Sequence, residues 1–159
     1  MTAATAAPVQ RRGIVPAIVA GGLTAATCDF IAAMLIYHLP ALTVGKAVAR
    51  GWFGREKAMT GGLDVSIIGI VSHYSILLVA AAIFVFASLR FPILRRRAAV
   101  AGILFGLCIY VVMHFVVLPL SAAGPGNPKG VQLVEELLGH MFVIGLPIAL
   151  WARKFLGTN

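Results

Sequence analysis

Five ionisable side chains stand inside long apolar runs of this chain, where charged and titratable residues are rare. They are Asp29, His73, His114, Glu136 and His140. Carboxylates and imidazoles in such surroundings can pair with each other, relay protons or hold a metal ion. Glu136 and His140 are four residues apart, so a helix would place them on one face. Glu135 is directed about 100° away on such a helix, and we expect it to reach headgroups or water.

The composition indicates which solvent surrounds these side chains. The 159 residues are 60% hydrophobic and only 11% charged, whereas a soluble domain usually has about 25% charged residues. This chain has too few polar residues to cover a water-exposed surface, so most of its surface is expected to face lipid. Its length fits one compact unit rather than two domains.

Four apolar runs predict the elements that position the five side chains. They cover residues 14–37, 65–89, 98–120 and 131–152. Each approaches or exceeds the roughly 20 residues that a helix needs to cross hydrocarbon, and none alternates as a membrane strand would. The first run is too long for the core of a cleaved signal peptide. The predicted fold class is all-α, an integral membrane bundle of four transmembrane helices, with residues 1–13 and 153–159 as cytoplasmic tails.

Counting along the predicted helices places the five side chains at similar depths. At about 1.5 Å per residue, Asp29 lies about 22 Å along the first run, roughly 8 Å below the far surface of a 30 Å core. The same count puts the other four about 6–14 Å below that surface. We therefore expect a polar cluster, contributed by all four helices, in one half of the bilayer.

Small residues predict how the helices pack. Lipid gives helices no hydrophobic reason to associate, so close contacts and polar bonds must hold them together. Gly102 and Gly106 form a GxxxG pair in the third run, and the first two runs also combine small residues with an ionisable one. Pro147 is expected to kink the fourth helix, because its ring cannot bond the carbonyl of Val143. Homo-oligomerisation is left open.

The link between the first two runs predicts a further helix. Apolar residues alternate there with basic ones in an approximately helical pattern that ends near Trp52 and Phe53. This pattern is typical of a short amphipathic interfacial helix on the outer membrane surface, and a plain loop is the alternative. Gly61 and Gly62 would end it, and Asp64 stands where the N-cap of the second span is expected.

The positive charges predict an orientation. The net charge is +8, and eight basic residues fall on one side of the predicted bundle: Arg11, Arg12, Arg90, Arg95, Arg96, Arg97, Arg153 and Lys154. The other side has five: Lys46, Arg50, Arg55, Lys57 and Lys129. The positive-inside rule then places both termini in the cytoplasm. We interpret Arg95, Arg96 and Arg97 as contacts for anionic lipids rather than for nucleic acid.

Several roles remain open for the polar cluster. It could fix the packing of the bundle, or it could form a route for protons or a small solute. His73, Glu136 and His140 are candidate ligands for zinc or iron. Haem would need two facing histidines, either His114 with His140 or His73 with His140. No soluble-enzyme motif such as GxSxG, a Walker loop, CxxC or HExxH occurs, so the sequence supports no soluble enzyme class, and enzymatic activity is left open with a non-enzymatic bundle favoured.

Three stretches resemble a family of small four-helix inner-membrane proteins of bacteria. They are GGLDVSIIGIVSHYSILLVAAA, GILFGLCIYVVMHFVVLPLSA and LLGHMFVIGLPIALWARKF. The features that carry the resemblance are His73, the VLPLS ending at residues 117–121 and the segment at residues 140–149. That family more often has asparagine where this chain has His114, which favours polar packing over an imidazole-dependent site there. The resemblance implies the fold and the membrane location, and it implies no activity, substrate or cofactor.

Overall fold

The computed structural model describes residues 12–126 and 128–158, and this part of the chain is helical without a strand. Its helices are α1 (Ile14–Tyr37), α2 (Ala41–Phe53), α3 (Arg55–Thr60), α4 (Leu63–Arg90), α5 (Ile93–Arg96), α6 (Ala98–Leu120) and α7 (Val131–Leu156). Among the described residues, α1, α4, α6 and α7 are long and apolar enough to cross a membrane. The all-α fold with four such helices is therefore confirmed. Arg11 and most of the predicted N-terminal tail lie outside the described residues.

The start of α4 differs from the prediction. Helix α4 begins at Leu63, and the cap position is occupied by Gly62, whose backbone is extended there. Asp64 consequently lies in the first turn, and α4 has no side-chain capping hydrogen bond. The predicted N-cap role of Asp64 is wrong because the backbone turns into the helix two residues earlier. A carboxylate in the first turn still complements the positive end of the helix.

Two of the long helices contain a π-helical segment. In α6 it covers Met113–Val117, and in α7 it covers Gly139–Gly145. Each segment ends two residues before a proline, Pro119 and Pro147 respectively. A proline ring clashes with the carbonyl one turn earlier and cannot bond it, and the wider π turn makes room for this mismatch. The disturbance expected at Pro147 therefore takes the form of π turns that begin at Gly139.

Glycines bring the long helices into backbone contact. A methyl group on Gly102 would lie 2.8 Å from the carbonyl oxygen of Gly145 in α7. A methyl group on Gly106 would collide with the carbonyl of His140 and lie 2.7 Å from the Cα of Met141. Gly22 in α1 meets α4 in the same way, 2.9 Å from the Cα of Leu78. The predicted GxxxG pair therefore forms the contact between α6 and α7.

One half of the bundle is tightly packed, and we call it the Arg95 half. It contains the start of α1, the end of α4, the start of α6 and the end of α7. Its buried core is formed by Ala17, Ala25, Ala26, Leu77, Ala80, Ala81, Phe84, Val85, Ala98, Ala101, Ile144, Ile148, Ala149, Ala152 and Leu156. Small side chains dominate this set, which allows the helix backbones to approach closely.

Arg95 joins three elements at the end of this half. Its side chain is 0% exposed, and it donates from Nε to the carbonyl of Ser88 at 3.1 Å and from Nη1 to that of Leu156 at 2.8 Å. Burial lowers the pKa of Arg95, and the neighbouring Arg96 lowers it further, but an arginine remains charged at neutral pH. The predicted lipid contact at Arg95 is therefore wrong, because its guanidinium bonds helix-end carbonyls instead. Arg96 and Arg97 are exposed.

The predicted amphipathic helix exists as α2, and it packs on α4. A methyl group on Gly45 would lie 2.5 Å from the carbonyl oxygen of Ser66. The indole of Trp52 donates from Nε1 to Ser72 Oγ at 2.9 Å. The carbonyl of Gly51 accepts a hydrogen bond from Ala122 N at 3.0 Å, which ties α2 to the end of α6. Helix α2 is thus part of the bundle wall, and its position on a membrane surface stays a prediction.

We expect Gly106→Ala to lower the thermal stability of the protein in detergent. The added methyl group meets the backbone of α7, which must move, and such overpacking costs about 1–3 kcal/mol. Gly139→Ala is the matched control, because no atom lies within 4 Å of a methyl group there and alanine favours a helix. Equal melting temperatures for the two variants would contradict the close contact between α6 and α7.

We expect Arg95→Gln to destabilise the fold by about 2 kcal/mol, because two buried carbonyls lose a charged donor. Arg97→Gln removes the same charge from an exposed side chain and should change the melting temperature little. Differential scanning fluorimetry of both purified variants gives the comparison. A melting temperature for Arg95→Gln that equals that of Arg97→Gln would show that Arg95 does not hold these helix ends.

Candidate functional site

A cavity of about 670 Å³ lies in the other half of the bundle, among α1, α2, α4, α6 and α7. Its size falls within the roughly 300–1,000 Å³ of typical small-molecule sites. We call it the large cavity. Most of its wall is apolar, with contributions from Ala33, Val44, Val48, Ile76, Leu77, Ile109, Met113, Val117 and Ile144. Helix α2 closes one side with the segment from Val44 to Trp52.

Three of the five ionisable side chains singled out in the sequence line this cavity: Asp29, His73 and His140. Asp29 Oδ2 lies 3.8 Å from His73 Nε2, an ion-pair distance that is too long for a hydrogen bond. They come from three helices, α1, α4 and α7, whereas the prediction had all four long helices contributing. The cavity therefore combines an apolar wall with a carboxylate and two imidazoles.

Hydrogen bonds to backbone carbonyls determine which ring nitrogen of His73 and of His140 carries a hydrogen. His73 Nε2 lies 3.0 Å from the carbonyl oxygen of Ala26, and His140 Nδ1 lies 2.8 Å from that of Glu136. Because a carbonyl oxygen only accepts hydrogen bonds, these two ring nitrogens carry the hydrogens. In the neutral forms His73 Nδ1 and His140 Nε2 are then free to accept a hydrogen bond or a proton.

A smaller cavity of about 190 Å³ adjoins the large one and shares Asp29, Ala33, Tyr37 and His140 with it. Glu135 and Glu136 complete its polar lining. Glu136 Oε1 accepts hydrogen bonds from Gln132 Nε2 at 3.1 Å and from the Tyr37 hydroxyl at 3.4 Å. Glu135 was predicted to reach headgroups or water, and that stays a prediction, since both glutamates line this cavity.

His114 is attached to the site only indirectly. Its ring stacks on Tyr110 with 5.4 Å between centroids, and Tyr110 in turn meets His140 edge-on at 5.3 Å. His114 lines neither cavity. The structure therefore brings four of the five side chains to the walls of two adjoining cavities and places the fifth behind Tyr110.

Sequence reasoning missed Tyr37 and Arg50 as parts of the site. Tyr37 follows Asp29 and Ala33 at steps of four, so the helical spacing could have placed it on their face. Arg50 lines the large cavity from α2 and donates from Nε to the carbonyl of Ala47 at 3.0 Å. No sequence signal marks Arg50, because nothing in the pattern tells which side of α2 meets the spans.

Among the described residues that line the large cavity, Asp29 is the polar side chain without a hydrogen bond. Its side chain is 27% exposed, and no hydrogen bond reaches its carboxylate from residues 12–126 and 128–158. A polar group without a hydrogen-bond partner in apolar surroundings costs free energy. Its oxygens therefore need a proton, a water molecule or a donor from another molecule.

The candidate metal ligands do not converge. Within the described ranges, no group of three His, Cys, Asp or Glu side chains is arranged to hold a metal ion. Glu136 instead accepts bonds from Gln132 and Tyr37, and His73 binds the carbonyl of Ala26 through Nε2. The predicted zinc or iron site thus has no ligand set in this part of the chain, and the haem prediction, which needs only two histidines, stays a prediction.

Comparisons with protein-family models, curated proteins and solved structures find no match to this chain. The resemblance to small inner-membrane proteins of bacteria therefore stays a prediction. The two cavities and the side chains that line them are the features of this chain that bear on its function.

The stabilities of two variants separate packing from function at this site. We expect His73→Ala to cost about 2–4 kcal/mol, because it removes a buried ring and its bond to Ala26. Asp29→Asn should leave the melting temperature unchanged or raise it, because it removes a charge that has no hydrogen bond. Thermal unfolding in the same detergent compares the two variants. A loss for Asp29→Asn as large as that for His73→Ala would show that Asp29 holds the bundle together.

Proposed function

We propose that this protein is a multi-pass membrane protein, without enzymatic activity, that receives a small solute with an apolar body in the large cavity. The observation that carries the proposal is the cavity itself, in which Asp29, His73 and His140 face an otherwise apolar wall. Ligand sites typically have this composition, with few polar groups that orient the ligand and many apolar ones that surround it.

The packed half of the bundle supports a site that opens to one side. The described residues include four buried polar ones, Ser66, His73, Ser88 and Arg95. Between His73 and Ser88, α4 contributes Leu77, Ala80, Ala81, Phe84 and Val85 to a continuous core. A proton or polar solute would find no bonding partner there, so passage through the bundle needs a rearrangement. Solute binding from one side is the simpler form of the proposal.

The proposed location is the inner membrane of a bacterium, with both termini in the cytoplasm and the cavities in the outer half. The positions of the basic residues support this orientation. Arg90, Arg95, Arg96, Arg97, Arg153 and Lys154 all belong to the half opposite the cavities, which the positive-inside rule places in the cytoplasm. The solute would then enter from outside the cell or from the outer leaflet.

Equilibrium binding of three matched probes tests the proposal. Radiolabelled decylammonium, decanol and decanoate share one chain and differ in head group, and empty lipid nanodiscs correct for partitioning. We expect at least one probe to bind the protein in nanodiscs saturably, with about one molecule per cavity. Ala47→Phe should reduce this binding at least tenfold, because the added ring occupies the large cavity.

The control variant is Leu42→Phe, which adds bulk to the same helix at a side chain that is 49% exposed and outside the cavity lining. It should bind like the unaltered protein. If none of the three probes binds saturably, or if Ala47→Phe and Leu42→Phe bind equally, the large cavity is not a solute site.

A further inference from the structure

We propose that the occupant of the large cavity is a lipophilic ammonium ion, whose charged head binds Asp29 and whose apolar body fills the cavity. This inference rests on the function proposed above and names the chemical class of its solute. Three observations carry it: the carboxylate without a hydrogen bond, the two imidazoles that line the same cavity and the distribution of acidic residues along the chain.

The first step is the hydrogen bonding of the cavity wall. His73 and His140 each donate to a backbone carbonyl, and Trp52 donates to Ser72. The carboxylate of Asp29 receives no hydrogen bond from the described residues. Asp29 is therefore the group of this wall that lacks a donor, and a positively charged donor bonds a carboxylate more strongly than a neutral one.

The second step is the number of acceptors around that position. An alkylammonium head has three N–H donors. Asp29 offers its carboxylate oxygens, and neutral His73 and His140 each keep one ring nitrogen that can accept. The three residues line the same cavity. A primary ammonium ion can thus find acceptors on side chains from three helices of this cavity, whereas a carboxylate head would find a like charge at Asp29.

The third step is the local charge. The chain has only five acidic residues and a net charge of +8, yet Asp29, Glu135 and Glu136 all line the smaller cavity. This cavity shares Asp29 and His140 with the large one. Three of the five acidic residues therefore lie around the junction of the two cavities, and their negative charge favours a cation there.

Arg50 limits the occupant to one positive charge and sets its direction. It lines the large cavity. Within the described part of the chain no ion pair joins it to Asp29, so its guanidinium nitrogens lie more than 4 Å from the carboxylate. A second ammonium group near Arg50 would be repelled. The uncharged end of the solute is therefore expected on the Arg50 side, between the apolar residues of α4, α6 and α2.

The head-group series in the unaltered protein tests this inference. We expect decylammonium to bind at least tenfold more tightly than decanoate in nanodiscs of neutral lipid, with decanol in between. Asp29→Asn should weaken decylammonium binding at least tenfold and leave decanol binding unchanged. Asp64→Asn removes the same charge from an exposed side chain in the first turn of α4 and should change neither affinity.

The outcomes separate the two proposals. Decanoate binding as tight as decylammonium binding, or decylammonium binding that survives Asp29→Asn, overturns the ammonium assignment. If Ala47→Phe still abolishes decanol binding in that case, the solute site stands and only its charge preference fails. The head-group order needs no variant, so it decides the question even if Asp29→Asn does not fold.

Discussion

The backbone contact between α6 and α7 at Gly102, Gly106 and Gly145 is the constraint on which the rest of the structure depends. Helices in lipid are held by close packing rather than by a hydrophobic effect between them, and glycine permits the closest approach. The contact extends from the Arg95 half as far as His140, whose carbonyl meets Gly106. On α7 this contact lies within the π-helical segment Gly139–Gly145, and α6 enters its own π-helical segment at Met113. The large cavity lies beside this part of the two helices, where Ile109, Met113 and Ile144 line it.

Backbone carbonyls satisfy polar side chains in both halves of the bundle. In the Arg95 half, the buried guanidinium of Arg95 bonds the carbonyls at the ends of α4 and α7. In the cavity half, His73 and His140 bond carbonyls of α1 and α7 in the same manner. Asp29 departs from the pattern, because the protein around it supplies no donor. The side chain of Asp29 is 27% exposed and lines a cavity, and a carboxylate without a donor in that position is what a ligand site would show.

The four long helices follow from the sequence because each coincides with a long apolar run that few charges interrupt. The gathering of Asp29, His73, Glu136 and His140 along two adjoining cavities also follows, since the rise per residue of a helix is constant. The lateral arrangement was harder to infer. The spacing along α7 gives the direction of Glu135 around the helix axis but not which helices lie beside it. The position of Glu135 in the wall of the smaller cavity could therefore not be inferred from the sequence. The packing of α2 on α4 depends on Gly45 and on Gly69, where a methyl group would collide with the carbonyl of Gly45. Nothing in the sequence distinguishes these two from the other glycines of the helices.

The most direct test of this account is an experimental structure of the protein in lipid nanodiscs, at a resolution that shows ordered small molecules. The account predicts an open large cavity with density for a bound molecule that contacts Asp29 and extends along the apolar wall between α4 and α6. A bundle whose cavity half is closed by side chains, with Asp29 hydrogen-bonded inside the protein, would contradict it.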